Sequence, residues 1–315
     1  MTAARPRVLV LGGSGFVGRY VVAQLAAAGH SVVVLTRHRT RARHLLLLPT
    51  VEVVEADPYD AATLARNARG MTAAVNLVGI LHERGRTTFA RAHVELPRLL
   101  VNACRSAGIA RVLHMSALGA RADAPSAYLR SKAEGETVVA GSGLATTIFR
   151  PSVIYGREDA FLNLFARLAQ WFPVLPLAGA NARFQPVWVG DVATCFVRAL
   201  VDNETIGARY DLCGPTVYTL ADLVRFVADA SGHPRAVIPL GPGLSSLQAR
   251  VMERLPGALL TRDNLASMQV DNVCDAGLPA RFGIAPARLE AIAPEYLAPR
   301  AQHSRYDDFR ARSGR

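Results

Sequence analysis

The chain has 315 residues, half of them hydrophobic and 19% charged, which is the balance of an ordinary globular protein and argues against disorder. No apolar run reaches the roughly 18–20 residues that a membrane span needs. The apolar run 8–11 is too short for the core of a signal peptide, so we expect a protein that stays in the cytoplasm. The formal net charge of +11 is spread along the chain without a recognisable nucleic-acid module, so we expect anionic ligands such as phosphates rather than nucleic acid.

Two residue types are used unusually. A single lysine, Lys132, stands among 36 basic residues, although arginine cannot replace it where a compact ammonium is required. The cysteines lie far apart without the spacing of a metal site, which predicts buried free thiols and neither a metal centre nor a disulfide framework. They are Cys104, Cys195, Cys213 and Cys274.

Short strand-forming runs alternate with longer helical stretches in the first half. The runs are continuously apolar, which is typical of parallel strands covered by helices on both faces. The predicted strands are 8–11, 31–36, 51–55, 73–78, 111–116 and 145–150. The predicted helices after the first one are 39–48, 60–67, 89–106 and 127–140. This alternation predicts the α/β class, with a Rossmann-type doubly wound parallel sheet.

The second half is less regular. It contains a long apolar stretch, 159–177, and a predicted helix, 220–230, with Thr219 as its N-cap. Further predicted elements are the strands 184–189 and 210–213 and the helices 192–201, 244–254, 262–268 and 286–292. We expect 1–156, with 186–214 returning to it, to form the Rossmann-type domain. We expect 157–185 and 215–302 to form a smaller C-terminal α/β lobe that acts as substrate lid, and 303–315 to be a frayed basic tail.

A glycine-rich turn follows the first strand and opens the first helix. The spacing of Gly12, Gly15 and Gly18 fits a tight turn, a close approach to a pyrophosphate, and close packing of helix on strand. The first N–H groups of the helix would face the phosphates. The residues assigned to dinucleotide binding here are Gly12, Ser14, Gly15, Phe16, Val17 and Gly18.

The ends of the next strands supply candidates for the adenosine half. The second strand lacks the terminal acidic residue that binds the ribose 2′-hydroxyl in NAD sites. Arg37 stands there instead and suits a 2′-phosphate, so we expect NADP(H) over NAD(H); a solvated Arg37 with loose specificity is the alternative. Asp57 is a candidate for the adenine edge or a loop cap, and Val78 and Gly79 for the passage of the ribose.

Tyr128 and Lys132 lie four residues apart on a predicted helix and share a face. An ammonium beside the phenol, together with an oxidised nicotinamide, would lower the pKa of Tyr128 from near 10. Tyr128 could then exchange a proton with a substrate oxygen while the nicotinamide exchanges hydride. Lys132 would hold the ribose hydroxyls, and Ser116 would hydrogen-bond the same substrate oxygen. Ser116, Tyr128 and Lys132 are the predicted catalytic set; the alternative is that they only hold cofactor.

Two later segments complete the predicted site. The segment 150–156 (RPSVIYG) ends the sixth strand, and the backbone around Pro151 and Val153 is expected to hold the nicotinamide carboxamide. Asp191 is interpreted as a helix N-cap rather than a catalyst. No residue is assigned to a metal.

Taken together, these motifs resemble the extended and atypical short-chain dehydrogenase/reductase superfamily, over roughly 7–235. Longer segments are similar to the family of the nucleotide-binding accessory subunit of respiratory complex I (alpha-subcomplex subunit nine) and its bacterial relatives. These segments are 128–136 (YLRSKAEGE), 150–165 (RPSVIYGREDAFLNLF), 184–193 (FQPVWVGDVA) and 260–273 (LTRDNLASMQVDNV).

The resemblance implies a tightly held NADPH and an association with ubiquinone metabolism or complex I. One hypothesis is an NADPH-dependent oxidoreductase acting on a quinone-like or other apolar carbonyl compound, with 161–177 as its lid. The second is a non-catalytic NADPH-binding accessory or assembly protein that docks on a respiratory complex at the periphery of the inner membrane. A weaker third is an NAD-dependent nucleotide-sugar epimerase or dehydratase, which Arg37 opposes.

Overall fold

The structure is a computed structural model that describes residues 6–253 and 260–298; the predicted tail 303–315 lies outside them. The chain divides into two units. The first extends to Pro151 and also contains Val189–Leu212 and Pro279–Ile284. The second contains Ser152–Trp188, Cys213–Leu278 and the residues from Ala285 onward. Within the described ranges, no helix is long and apolar enough to cross a membrane.

A seven-stranded parallel sheet forms the centre of the first unit. Its strands are β1 (Arg7–Leu11), β2 (Ser31–Thr36), β3 (Val51–Glu55), β4 (Ala73–Asn76), β5 (Arg111–Met115), β6 (Ala145–Pro151) and β11 (Arg209–Leu212). Their order is β11-β6-β5-β4-β1-β2-β3. The chain reverses its direction of winding between β1 and β4, where sheets of this kind bind ligands at the carboxyl ends of the strands. The predicted doubly wound α/β fold is confirmed.

Helices cover both faces of this sheet. On one side α1 (Phe16–Ala27) contacts α6 (Val189–Val201), and on the other α3 (Leu96–Ala107) contacts both α2 (Ala61–Ala68) and α4 (Ala127–Ala140). Leu9 and Leu11 of β1 pack with residues of α2 and α3 in a buried apolar cluster. The strands are apolar on both faces because each face is buried in this way. The predicted helix 39–48 is a shorter 3₁₀ segment, Arg39–Leu45.

The predicted helix 89–106 begins with a wider turn. Residues Ala90–Glu95 form a π-helical segment, and regular α-helix starts only at Leu96. Pro97 has no N–H to donate to the carbonyl of His93, four residues earlier, so the ordinary α-helical hydrogen bond cannot form there. That carbonyl faces α4, where a Cβ on Gly135 would lie 2.0 Å from it. Glycine at 135 therefore allows α4 to pack directly against the π-helical segment.

The second unit consists of short strand pairs and helices around its own core. Its strands are β7 (Ile154–Tyr155), β8 (Val174–Leu177), β9 (Arg183–Phe184), β10 (Val187–Trp188), β12 (Tyr218–Thr219) and β13 (Ala236–Pro239). Its helices are α5 (Phe161–Trp171), α7 (Leu220–Ala230), α8 (Pro242–Met252), α9 (Arg262–Ser267), α10 (Leu289–Ile292) and α11 (Pro294–Leu297). Thr219 forms a capping box with Asp222, so the predicted N-cap of α7 is confirmed. Helix α5 packs Leu162 and Ala169 into this core, whereas Trp171 at its end and Phe172 just after it are exposed.

The prediction of one strand over 184–189 is wrong. The chain forms β9 and β10 with Gln185 and Pro186 between them, and α6 begins at Val189. Proline cannot donate a ladder hydrogen bond, so it interrupts the strand. Because α6 starts two residues before Asp191, this residue lies in the first helical turn and is not the N-cap that we predicted. A carboxylate is favourable there because the helix dipole is positive at that end.

The prediction of four free thiols is also corrected. Cys213 and Cys274 form a disulfide in the second unit, whereas Cys104 and Cys195 are buried and free. The two bonded residues are 61 positions apart, so spacing does not reveal the pair. Gln185 brings the two segments together: its amide nitrogen donates to the carbonyl of Gly214 at 2.7 Å, and its amide oxygen accepts from the backbone N–H of Cys274 at 3.0 Å.

We expect thiol titration of the denatured protein to find two reactive thiols before reduction and four after it, because Cys104 and Cys195 are the free cysteines. Denaturation is needed since burial raises the pKa of both thiols to about 12. A Cys274→Ser variant should give three thiols with or without reductant. Four thiols in unreduced wild-type protein would contradict the disulfide.

Candidate functional site

The glycine-rich turn lies between β1 and α1. Gly12 has φ +81°, and a Cβ there would approach the backbone of Leu77 to 2.9 Å. A Cβ on Gly18 would lie 2.1 Å from the carbonyl oxygen of Gly12, so glycine is required where the helix packs on the turn. Gly15 caps α1 without a side-chain hydrogen bond. The N–H groups of Phe16 and Val17 are therefore available to an anion at the positive end of the helix.

The end of β2 places hydroxyl and guanidinium groups beside this turn. The hydroxyl of Ser14 lies 3.3 Å from that of buried Thr36. Arg37 follows Thr36 and is exposed. Its charge acts on the phenol of Tyr59, and the guanidinium of Arg91 lies 4.3 Å from the centre of that ring. Two arginines are thus brought close to the ring of Tyr59.

Asp57 closes the loop after β3. Its carboxylate accepts the backbone N–H of Tyr59 at 3.1 Å, and its carbonyl accepts that of Asp60 at 3.1 Å. Of the two interpretations of Asp57, these contacts favour the loop cap. One carboxylate oxygen of Asp57 already accepts the N–H of Tyr59, so a contact with the adenine edge would come in addition to this hydrogen bond.

The turn after β4 is held by two buried side chains. Asn76 accepts the backbone N–H of Val78 at 3.2 Å, and its amide nitrogen lies 3.1 Å from Nδ1 of His114. The N–H of Ile80 donates to Nε2 of His93 at 3.1 Å. A Cβ on Gly79 would lie 3.0 Å from Nζ of Lys132, so the ammonium lies directly beneath this turn. Val78 and Gly79 are thereby brought together with Lys132.

Helix α4 positions Tyr128 and Lys132. Ser126 caps the helix by accepting the N–H of Leu129 at 3.2 Å. Lys132 is buried, and its Nζ donates to the carbonyl of Met115, at the end of β5, at 3.3 Å. Burial lowers the pKa of Lys132 to about 8, against the opposing effect of Glu136. The ammonium therefore remains mostly protonated at neutral pH but loses its proton within the range of an activity assay.

Glu136 links α4 to the sheet. Its buried carboxylate receives two hydrogen bonds from Arg150, at 2.7 and 2.6 Å, and pairs with Arg209 at 3.3 Å. A bidentate pair of this kind fixes both partners in orientation as well as in distance. Lys132 and Glu136 therefore lie one turn apart on α4, and Glu136 fixes this turn to β6 and β11 through Arg150 and Arg209.

We predict a lowered pKa of Tyr128 for the site with an oxidised nicotinamide bound, and Lys132 alone does not produce it. Burial raises the pKa of Tyr128 to about 12, and Lys132 does not offset it. The phenol is therefore protonated at neutral pH in the protein without cofactor, so that it can donate a proton. Its ring packs against the cluster that contains Ala117, the residue after Ser116.

Ser116 begins the loop after β5, where its backbone N–H donates to the carbonyl of Phe149 at 2.7 Å. Its hydroxyl is buried and has no hydrogen-bond partner among the residues that the structure describes. A buried hydroxyl without a partner is costly, so a bound oxygen atom would satisfy it. The loop after β5 thus offers a donor close to Tyr128.

Sequence reasoning missed His93, which connects the turn after β4 to helix α4. Because Nε2 accepts the N–H of Ile80, Nδ1 carries the proton and donates to the hydroxyl of Ser131 at 2.8 Å. Ser131 in turn donates to the carbonyl of Tyr128 at 2.7 Å. The ring of His93 also contacts the ring of Tyr128 edge-on, with centres 5.6 Å apart. Burial and the charge of Lys132 lower the pKa of His93 to about 2, so it stays neutral.

Pro151 and Val153 lie at the end of β6 and just after it. Pro151 is the last residue of that strand, and its carbonyl accepts the N–H of Leu118 at 2.9 Å. In the second unit, the N–H of Val153 donates to the side chain of Asn272 at 3.1 Å. The carbonyl of Val153 accepts from Val187. At both residues assigned to the nicotinamide carboxamide, the backbone groups named here thus already form hydrogen bonds within the protein.

The residues of the first unit fit a dinucleotide on three observations. Side chains at Gly12 or Gly18 would fill the turn, the tip of α1 is uncapped, and Ser116 presents a buried hydroxyl in need of a partner. When bound, such a cofactor supplies or accepts a hydride. Within the described ranges, no cluster of side chains could hold a metal ion.

A model of the NAD dependent epimerase/dehydratase family matches residues 8–213. The mitochondrial NADH dehydrogenase (ubiquinone) 1 alpha subcomplex subunit 9 of Mus musculus is 32% identical over 297 residues, covering 91% of this chain and 78% of that protein. A ceramide reductase of Caulobacter vibrioides is 33% identical over 257 residues, covering 79% of this chain and 78% of the reductase.

Two solved structures illustrate the likeness in fold. An NADPH-dependent quinone oxidoreductase of Escherichia coli, complexed with NADPH, gives a TM-score of 0.76 at 21% identity, over 92% of this chain and 99% of that one. A dTDP-glucose 4,6-dehydratase of Streptomyces venezuelae, with NAD bound, gives a TM-score of 0.63 at 26% identity, over 75% of this chain and 85% of that one. The fold is thus one that binds nicotinamide dinucleotides. Because the matched residues include the glycine turn, Tyr128 and Lys132, the chain belongs to the NAD dependent epimerase/dehydratase family.

Proposed function

We propose that the protein is an NADP(H)-dependent oxidoreductase that reduces a quinone-like or other apolar carbonyl compound. The observation that carries this proposal is the buried Lys132 between the turn at Gly79 and the end of β5. It supports a cofactor ribose at this point, next to a phenol that is protonated at neutral pH. A protonated phenol is the form that gives a proton to a carbonyl oxygen as hydride arrives at its carbon.

The preference for NADP(H) is supported by charge at the end of β2. Arg37 and Arg91 both act on Tyr59, and β2 ends without a carboxylate. A 2′-phosphate would gain charge-assisted hydrogen bonds there, whereas a 2′-hydroxyl would gain little.

We therefore expect NADPH to bind more tightly than NADH, and Arg37→Ala to remove most of the difference. Charge-assisted contacts contribute roughly 1.5–3 kcal/mol, or about one to two decades in affinity. Calorimetric titration of both cofactors into both proteins measures this, with Arg69→Ala, also exposed, as the control. Equal affinities of wild-type protein for NADPH and NADH would contradict the assignment.

The substrate class is supported by two of the similar proteins. One is a quinone oxidoreductase and another a ceramide reductase, so apolar or lipidic compounds occur among the substrates that their names state. The test has two steps: mass spectrometry of the nucleotide released from purified protein, then NADPH oxidation with a panel of quinones and long-chain ketones. NADPH found on the protein without oxidation by any compound would count against an enzyme.

A non-catalytic NADPH-binding subunit or assembly protein of a respiratory complex is the second candidate. It is favoured by the similarity to subunit 9 of NADH dehydrogenase, which covers 91% of the chain. In that case the cofactor stabilises the fold by mass action, and its removal lowers the melting temperature without loss of any reaction. The protein would then act at the cytoplasmic periphery of the inner membrane.

A further inference from the structure

The second unit exposes apolar side chains on one face of a two-stranded sheet. The register of β8 and β13 places Val174 opposite Ala236 and Pro176 opposite Ile238. All four residues are exposed, whereas the alternate residues of β8 are buried. An apolar sheet face is ordinarily covered by another element, so this one is unusual.

Helix α8 and the end of α5 extend this surface. The side chain of Gln248 donates to the carbonyl of Pro176 at 2.9 Å, which holds α8 against β8. The outer side of α8 carries apolar side chains at helical spacing, 59% exposed at Leu244 and 56% at Leu247. Trp171, at the end of α5, is 78% exposed. We call this surface the apolar face; it comprises Trp171, Val174, Pro176, Ile238, Leu244 and Leu247.

The charged side chains nearest in sequence to the residues of the apolar face are arginines, and the nearest carboxylates, Asp229 and Glu253, lie further along the chain. Residues 160–182 and 230–252 contain no aspartate or glutamate, and their charged residues are Arg167, Arg235 and Arg250. Arg167 lies one helical turn from Trp171, and Arg250 one turn from Leu247, so both border the apolar face. A surface that is apolar at its centre and cationic at its edge complements one chemistry in particular, an acyl layer beneath anionic headgroups.

We propose that the apolar face docks on an anionic lipid surface. The leucines and Ile238 enter the boundary between headgroups and acyl chains, the indole of Trp171 lies at the headgroup level, and the arginines pair with lipid phosphates. A second copy of the chain is less complementary, because it would set arginine against arginine. The inference goes beyond the proposed oxidoreductase activity and does not depend on it.

Co-sedimentation of the full chain with vesicles tests this proposal. We expect binding to phosphatidylglycerol vesicles at least about tenfold tighter than to phosphatidylcholine vesicles, and weaker in high salt, where screening is stronger. The double variant Leu244→Ser/Leu247→Ser should lose about tenfold or more in vesicle affinity. The emission of Trp171 should shift to shorter wavelength on binding, and Trp171→Phe should lose that shift.

The matched controls are Leu47→Ser and Arg69→Gln, exposed residues of the first unit that should leave vesicle binding unchanged. Melting temperature and NADPH affinity show that each variant is folded, and both are independent of lipid. Absence of binding to phosphatidylglycerol vesicles, or equal binding by the double variant, would overturn the proposal. A dimer in light scattering that Leu244→Ser/Leu247→Ser dissociates would instead assign the apolar face to a second copy.

Discussion

Replacing Tyr128 with phenylalanine is expected to lower NADPH-dependent turnover by about 10²–10⁴-fold, the usual contribution of a positioned proton donor. Cofactor affinity should stay within about twofold, because Lys132, Asn76 and His93 hold the turn after β4 and all three are unchanged in this variant. The ring contacts with His93 and Phe89 are kept, so the melting temperature should change little. Steady-state kinetics beside calorimetric titration separates the two effects.

Tyr210→Phe is the matched control for this variant. Tyr210 also packs against aromatic rings of the first unit, Phe149 and Phe282, but lies on the edge strand β11. It should lose nothing in turnover. If Tyr128→Phe retained full activity, the phenol would not be the proton donor. The protein would then belong with the non-catalytic candidate or use another acid.

Lys132→Arg should weaken NADPH binding by at least about tenfold, near 1.4 kcal/mol, although it keeps the positive charge. Nζ lies 3.3 Å from the carbonyl of Met115, and a methyl group on Gly79 would come within 3.0 Å of it. A planar guanidinium is wider than an ammonium and would have to push the turn after β4 away. Lys132→Met, which keeps the length of the side chain without its charge, distinguishes the loss of space from the loss of charge.

The same residue sets an expected pH dependence. Since burial lowers the pKa of Lys132 to about 8, its ammonium is present below that pH and is lost as pH rises through it. We therefore expect kcat/KM of the wild type to fall above about pH 8, and this descending limb to disappear in Lys132→Arg, which stays charged. An unchanged limb in the arginine variant would show that another group titrates. Wild-type affinity in that variant would mean that the single lysine has no special role.

Much of the first unit could be predicted because its signals are local. The apolar runs of β2 and β3 and the helix α4 have the predicted bounds. The parallel sheet also follows from the alternation of strands and helices. Within the site, the glycine turn could be predicted because it depends on short spacings, whereas the approach of Lys132 to Gly79 joins residues far apart in sequence.

What could not be predicted depends on contacts between distant positions. His93 is 38 residues from Ser131, and nothing near it in sequence marks it as the link between Ile80 and Tyr128. The bond between Cys213 and Cys274 is likewise invisible without the side chain of Gln185. The one local signal available was Pro97, which forbids an α-helical hydrogen bond to His93 and so marks an irregular turn. The opposing effect of burial on the Tyr128 pKa could not be predicted, because burial cannot be measured from spacing.

The close approach of Gly135 to the carbonyl of His93 restricts which substitutions this protein can accept. Through His93 and Ser131, the turn after β4 and the backbone that carries Tyr128 are joined by hydrogen bonds without an intervening flexible segment. A single methyl group at position 135 would separate the two and disturb both at once. Laboratory evolution toward new substrates would thus be expected to leave Gly135 untouched and to accumulate its changes elsewhere.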